Sequence, residues 1–486
     1  MKNKFKRGLS VLVIIALMLS VATACNEKKN VSDGPIPKPD FDSHEGVKAR
    51  AYELKDHEAL PDVTVTEKLK ILSWYGIDET SPTAELYKAR YWNPDIVEEV
   101  DAEGNVTTKE VARDIFTVLN TTYENRYNRL STLIMSGDSP DFFQFEERGF
   151  PYGVYVDQFA PIDGLIDLSG PEWDPTRDII EMFKWGGKNY TPITELNNSA
   201  ALLYYRKSVM IEANLKDPYD LWQQNDWTWD TFRQMLQDFS KPDEKWGVVG
   251  FYIDEAAILS TGTGIISIED GKLKNNMSDG RVERAMSFLQ DLAVKEFRYP
   301  YHTHSNFQVP PSLFRGGDVL FWNDGPWRFQ ENIAPMASAD QWPEDEVGIV
   351  PFPRDPQASE FFHRGKQDAL MLVAGSKNRD GFKAWTQCSI IANFDERMMA
   401  LGREKASRDY KWTEKHLDIL EKIRGLKPVW DFKNGIGPDV SDPTIDSYVE
   451  NLTKPVIVLG ESYTQMRGEN SSPILARIAE MNASVS

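Results

Sequence analysis

Several short segments of this chain place aromatic rings beside charged or amide side chains. The residues concerned are Trp74 and Tyr75, then Phe145, Glu146, Glu147 and Arg148, then Asn197 and Asn198, and finally Trp322, Asp324 and Trp327. An aromatic ring can stack on the apolar face of a small ring compound, while carboxylate, amide and guanidinium groups hydrogen-bond its hydroxyl groups. Such neighbouring rings and polar groups could contact a ligand or could pack within the fold.

The chain offers few combinations of residues for catalysis. A polysaccharide hydrolase needs two carboxyl groups about 5–9 Å apart across the sugar bond, whereas Glu146 and Glu147 are adjacent and would point to opposite faces of a strand. The sequence contains no Gly-x-Ser-x-Gly, His-Glu-x-x-His or Gly-x4-Gly-Lys-Ser/Thr motif. His302 and His304 lack the further ligands that a metal site requires, so we expect a surface loop there. A secreted hydrolase or binding module stays as the alternative class, and a surface adhesin as a third.

The N-terminal residues predict export and a lipid anchor. Four basic residues occur among the first seven, an uncharged apolar run covers 11–19, and small residues lead to Cys25. The run is too short for the ~30 Å of a bilayer core, so it is typical of a signal peptide. We predict that residues 1–24 are a lipoprotein signal peptide and that Cys25 is lipidated at the extracellular face of a bacterial cytoplasmic membrane. The alternative is cleavage nearby, which would leave Cys25 as a free thiol.

Composition narrows the class of protein further. A chain of 486 residues normally divides into two or three domains. Its net charge of −20 argues against nucleic acid as a partner. The only cysteines are Cys25 and Cys388, so the fold is expected to form without disulfides, with Cys388 as a buried structural thiol.

The order of predicted elements is typical of an α/β protein. Residues 25–62 are polar and contain three closely spaced prolines, which predicts a flexible tether. A buried strand is predicted at 69–74, and a strand, a helix and a strand follow at 115–119, 123–134 and 141–145, the unit of a parallel sheet. Further strands are predicted at 248–253, 319–322 and 369–374, with helices between 211 and 242, where Thr228 is the expected N-cap, and between 282 and 293.

Six motifs in this order resemble family 1 extracellular solute-binding proteins, the lipoprotein or periplasmic receptors of ATP-driven importers. The first is the helix, Ser-Gly-Asp-x-Pro-Asp turn and strand at 130–141. The others are 187–192 with 202–207, 216–219 with 227–232, 314–318 through 322–327, 347–353, and 374–378. The chain departs from the family pattern at 92–112, which has the character of an insertion, and in its C-terminal part.

The resemblance implies an α/β, two-lobed periplasmic-binding-protein-like fold of type II, distantly similar to maltose-binding protein. Lobe I would comprise 63–198 and 358–402, and lobe II 199–357 and 403–486, with a hinge between them and the ligand cleft at their interface. It implies a monomeric receptor that needs no cofactor or metal and is not an enzyme. The receptor would capture a sugar or oligosaccharide and deliver it to ABC permease subunits. A receptor for another solute, such as a peptide, is the alternative within this class.

The same resemblance ranks the candidate ligand contacts. Trp327 matches the tryptophan of the family's Gly-Pro-Trp segment, which often stacks on sugar, and Trp322 and Asp324 could supply a second ring and a carboxylate. Each remaining candidate keeps a structural alternative. Trp74 could pack in the core, the charged residues of 146–148 could lie on a solvated loop, and Asn197 and Asn198 could satisfy backbone groups at the hinge.

Overall fold

The computed structural model of the protein describes residues 43–92, 95–100, 106–111, 113–196, 201–300, 310–438 and 447–485. Its strands are β1 (Leu69–Ser73), β2 (Asp95–Val100), β3 (Val106–Val111), β4 (Phe116–Asn120), β5 (Phe142–Gln144), β6 (Ile193–Leu196), β7 (Leu202–Arg206), β8 (Trp246–Gly250), β9 (Ile266–Glu269), β10 (Lys272–Asn275), β11 (Val319–Asp324), β12 (Val347–Val350), β13 (Phe362–Arg364), β14 (Gln367–Leu372) and β15 (Lys427–Val429). Its α-helices are α1 (Ser43–Leu54), α2 (Pro82–Tyr91), α3 (Arg126–Met135), α4 (Tyr152–Tyr155), α5 (Arg177–Met182), α6 (Lys207–Glu212), α7 (Pro218–Gln223), α8 (Trp229–Phe239), α9 (Ile253–Leu259), α10 (Gly280–Val294), α11 (Pro311–Gly316), α12 (Pro326–Arg328), α13 (Ala334–Ala339), α14 (Arg379–Phe394), α15 (Glu396–Tyr410), α16 (Glu414–Arg424), α17 (Tyr448–Leu459) and α18 (Tyr463–Ala483).

Lobe I is built on a five-stranded sheet in the order β4-β1-β5-β14-β6. Strand β1 runs parallel to its two neighbours, β4 and β5, while β14 is antiparallel to β5 and β6. The residues of β1, Leu, Lys, Ile, Leu and Ser, are almost completely buried because strands flank β1 on both edges and helix α3 contacts it. The predicted strand at 69–74 and the strand, helix and strand that end at β5 are thereby confirmed.

Lobe II is built on a four-stranded sheet in the order β12-β7-β11-β8. All six residues of β11 are buried, so this strand forms the centre of the lobe II core. Thr228 caps α8 as predicted, since its side chain accepts a hydrogen bond from the backbone N–H of Thr231 in a capping box. Two sheets with helices packed around them confirm the predicted α/β class.

The chain passes between the two sheets three times. It leaves lobe I after β6, and residues 197–200 of that crossing lie outside the described residues. It returns between β12 and β14, through β13, which pairs with β15. It leaves again between α15, which contacts α1 and α14, and α16, which contacts β12. The predicted lobe boundary at 402–403 falls inside the continuous helix α15, and the division of the chain into lobes stays a prediction.

Residues 43–62 correct the prediction of a flexible tether over 25–62. They begin with helix α1, whose Val47, Ala51 and Leu54 are buried against α2 and α15. An ion pair fixes the helix further, with 2.6 Å between Arg50 Nη2 and Asp395 Oδ2. The prediction failed because only three residues, spaced four and three apart, form the apolar face of an otherwise polar segment. The prediction of a flexible tether is therefore restricted to the residues before Ser43.

Three smaller expectations concern individual segments. The insertion at 92–112 contains the antiparallel hairpin β2–β3, and its turn lies outside the described residues. Cys388 is fully buried in α14, as predicted for a structural thiol. Within the described part of the chain, no helix has the length and apolar character required to cross a membrane.

Candidate functional site

The carboxyl end of β1 starts an aromatic wall on lobe I. Trp74 and Tyr75 directly follow this strand and are half-buried, with their rings edge to face at a centroid distance of 5.3 Å. Tyr75 donates a hydrogen bond from its hydroxyl to Gln144 Oε1 at the end of β5. Tyr123 follows β4, and its ring centroid lies 5.9 Å from that of Trp74. Tyr123 is 50% exposed. The sequence predicts the first two rings as ligand contacts, whereas Tyr123 falls at the start of the helix predicted at 123–134.

A buried arginine holds this lobe I wall in place. Arg126 donates from Nε to Glu146 Oε2 at 2.6 Å, and its guanidinium carbon lies 3.6 Å from the Tyr123 ring centroid and 5.4 Å from that of Trp74. Burial raises the pKa of Glu146, and the ion pair with Arg126 opposes this rise. The predicted contact Arg148 lies beside the same wall, with its guanidinium carbon 5.2 Å from the centroid of Tyr127.

The second wall, on lobe II, is formed by residues that follow β8 and β11. Trp327 is half-buried and contacts Tyr252 edge to face, with 5.9 Å between the ring centroids. Phe251 is 45% exposed beside them. Gly325 allows this arrangement, because a Cβ at that position would lie only 1.9 Å from the Trp327 ring. The Gly-Pro-Trp segment thus seats the tryptophan directly against the backbone that ends β11.

The crossing segment, residues 362–372, contacts both lobes. Arg364 is 5% exposed, and its Nη2 donates to Glu147 Oε1 of lobe I at 2.5 Å. Its Nε lies 2.8 Å from Glu255 Oε2 of lobe II, and its guanidinium carbon lies 5.0 Å from the Tyr252 centroid. Lys366 places Nζ 5.8 Å from the Trp327 centroid. Residues 364–368 of the crossing segment therefore lie between the lobes, and we call them the floor of the site.

Three predicted contacts lie in the core and are corrected to structural roles. Trp322 is 0% exposed and packs against Phe314. Asp324 is equally buried, and its carboxylate accepts hydrogen bonds from the Gly325 N–H at 2.9 Å and from Arg328 Nε at 2.8 Å. Phe145 packs in the lobe I core against two other phenylalanines. Trp322 and Asp324 failed as ligand contacts because β11 is longer than predicted and is buried on both faces.

Some predicted positions have no structural description. Asn197 and Asn198 lie outside the described residues, and so do His302 and His304. The role of the two asparagines at the first crossing therefore stays a prediction.

A pair of carboxyl groups lies where β6 and β14 lead into the crossings. Glu195 and Asp368 are register partners on these antiparallel strands, and one oxygen of each is buried with no hydrogen-bond partner among the described residues. Burial, with a further contribution from the neighbouring Asp368, raises the pKa of Glu195 to about 8, while Arg424 and Lys366 oppose the rise. Burial also raises the pKa of Asp368. The pair is therefore expected to hold a proton at neutral pH.

The Glu195 pair predicts a pH-dependent stability. The folded state keeps the proton up to about pH 8, whereas the unfolded chain loses it near the ordinary pKa of 4.5. The folded state binds more protons within this window, so the free energy of unfolding falls as pH rises from 5.5 to 8. Glu195→Gln should make this fall shallower in urea denaturation, while the exposed control Glu45→Gln should keep the wild-type slope. Equal slopes for wild type and Glu195→Gln would contradict the assignment.

Comparison with known proteins identifies relatives of this architecture. The model of a family described as bacterial extracellular solute-binding protein matches residues 115–388, which is more than half of the chain.

Solved structures share the fold at low sequence identity. The GacH receptor of Streptomyces glaucescens, solved unliganded and with acarbose, has 13% identity and a TM-score of 0.56, covering 86% of this chain and 99% of its own. An ABC substrate-binding protein of Listeria monocytogenes in complex with cycloalternan has 15% identity and a TM-score of 0.53, covering 77% and 92%. The sugar-binding protein MalE of Xanthomonas citri has 17% identity and a TM-score of 0.53, covering 75% and 90%. The two-lobed binding-protein fold expected from the sequence is thereby confirmed.

Proposed function

The chain belongs to the bacterial extracellular solute-binding protein family, and from this premise we propose that it captures a sugar or oligosaccharide between its lobes and delivers it to an ABC permease. The observation that carries the proposal is the pair of aromatic walls, Trp74 with Tyr123 on lobe I and Trp327 with Tyr252 on lobe II, joined by the polar crossing segment. A pyranose offers apolar faces to such rings and hydroxyl groups to such a floor.

The fold relatives support a saccharide as the ligand class. Two of them were solved with cycloalternan or acarbose, and a third is named as a sugar-binding protein. At 13–17% identity these structures support only the fold. The specificity of the cleft has to be inferred from the residues of this chain.

Two further parts of the proposal concern location and partners. The family is extracytoplasmic, and we infer that lipidation of Cys25 anchors the protein to the outer face of the cytoplasmic membrane. Residues 26–42 would then connect the lipid to α1, which packs on lobe I. The protein would act as a monomer, and separate transporter subunits would hydrolyse ATP.

The carboxylates beside the walls support binding over hydrolysis. Glu146 is paired with Arg126, and Glu147 is paired with Arg364. Both carboxylates are thus held by arginines of the protein, whereas a glycosidase needs a pair of carboxyl groups placed across the sugar bond. We infer that both glutamates position arginines or accept hydrogen bonds from ligand hydroxyl groups.

A thermal-shift screen tests the proposed function. A cognate sugar present at 100 times its Kd should add about 2.7 kcal/mol to the free energy of unfolding, because it binds only the folded state. The screen should contain neutral and acidic saccharides, short peptides and polyamines at matched concentrations. Stabilisation by a peptide or polyamine with no response to any saccharide would contradict the proposal.

A further inference from the structure

Arg364 lies outside the six motifs that carry the sequence resemblance. It lies on the second crossing between the lobes, and it is ion-paired with Glu147 of lobe I and with Glu255 of lobe II. The guanidinium also lies over Tyr252, the ring that contacts Trp327. One buried side chain therefore contacts both lobes and the aromatic wall on which a ligand is proposed to stack.

Part of the hydrogen-bonding capacity of this floor is unused. Arg364 Nη1 is buried and has no acceptor among the described residues. On the same crossing segment, Gln367 Nε2 and Asp368 Oδ2 are also buried without partners in the described structure. A buried polar group without a partner destabilises the folded protein. A ligand that supplied oxygen and hydroxyl groups to these atoms would remove this destabilisation.

The positive charges of the floor are already matched by carboxylates. Arg364 has a carboxylate on each side, Glu147 and Glu255, both within ion-pair distance. Lys366 acts electrostatically on Asp368 and on Glu255. Lys433 adds a third cation that acts on Glu255 and Glu147 as well as on Asp431 and Asp254, so every cation of the floor already has carboxylate partners.

On the basis of the proposed function, we propose that Arg364 is a specificity-determining residue that donates from Nη1 to an uncharged ligand oxygen, and that Glu147 and Glu255 exclude acidic sugars. A hydroxyl or ring oxygen accepts this hydrogen bond without adding charge. A uronate carboxylate at the same place would lie beside the two carboxylates that already pair with Arg364, and like charges repel one another. The predicted ligand class is therefore a neutral saccharide.

Matched sugar pairs test this specificity by calorimetric titration of the full-length chain. The pairs are glucose with glucuronate, galactose with galacturonate, and cellobiose with cellobiouronate. We expect at least one neutral sugar to bind and its carboxylated partner to bind at least about 100-fold more weakly. Glu147→Gln should reduce the ratio of the affinities for the neutral sugar and for its carboxylated partner about tenfold or more. Glu53→Gln, which removes the same charge from α1, should leave this ratio unchanged. If Glu147→Gln does not fold, Glu255→Gln tests the second carboxylate in the same way.

The outcomes separate this inference from the proposed function. Equal or tighter binding of the uronate would overturn the specificity assignment and leave saccharide capture intact. An affinity ratio that stays unchanged in Glu147→Gln and Glu255→Gln would overturn the role of these carboxylates. Binding of peptides in place of any saccharide would overturn the proposed function itself.

Discussion

Trp327→Ala is expected to weaken sugar binding on the order of 100-fold, about 3 kcal/mol. The ring provides the largest apolar surface of the lobe II wall, and its position is fixed by contact with Gly325 and Tyr252. Removing it would leave Tyr252 and Lys366 without the ring that they contact. Calorimetric titration with the best sugar from the thermal-shift screen measures the loss directly.

Trp342→Ala is the matched control for this variant. Trp342 is a half-buried tryptophan of lobe II whose ring lies 4.2 Å from the guanidinium carbon of Arg206, outside the walls of the cleft. Its truncation should reduce stability and leave affinity within a few-fold of wild type. Similar affinity losses in the two variants would show that Trp327 acts through lobe II stability instead of through the ligand.

Gly250→Ala is expected to lower the free energy of unfolding by more than about 3 kcal/mol. Gly250 ends β8 with a φ of +134°, a conformation that L-residues rarely adopt, and a Cβ there would lie 1.8 Å from the backbone oxygen of Asn323. The same oxygen accepts a hydrogen bond from the N–H of Phe251 at 3.0 Å. The substitution would therefore separate β8 from β11 at the point where the chain turns toward Tyr252. Urea denaturation measures the effect.

Gly280→Ala provides the comparison for the Gly250 variant. Gly280 is the first residue of α10, and a Cβ there would have no atom within 4 Å. Alanine has a higher helix propensity than glycine, so the free energy of unfolding should stay unchanged or rise slightly. Equal stabilities of the two variants would contradict the claim that the close approach of β8 and β11 requires glycine.

Motifs in the sequence located the lobe II wall only in part. Trp327 follows from the Gly-Pro-Trp segment, whereas Tyr252 was hidden because the predicted strand at 248–253 extends beyond the actual end of β8 at Gly250. A glycine at this position was the available signal for an earlier strand end. Trp322 and Asp324 show the opposite error, since the predicted strand stopped at Trp322 although β11 continues to Asp324.

The floor of the cleft could not be derived from local pattern. Arg364 meets Glu147 across a separation of 217 residues, and it also meets Glu255 on another lobe, so only the three-dimensional fold brings the three together. Helix α1 was missed for a related reason. Its few apolar residues form a buried face only because they pack on α2 and α15, which are distant in the sequence. The strands β1, β4 and β5 could be predicted because each carries a short apolar run in the sequence.

A crystal structure of the protein with the best neutral saccharide from the screen tests the central claim most directly. We expect a pyranose ring stacked on Trp327, a hydroxyl or ring oxygen within hydrogen-bond distance of Arg364 Nη1, and lobe I contacts from Trp74 or Tyr123. A saccharide bound elsewhere, with both walls and the Arg364 floor empty, would contradict the account.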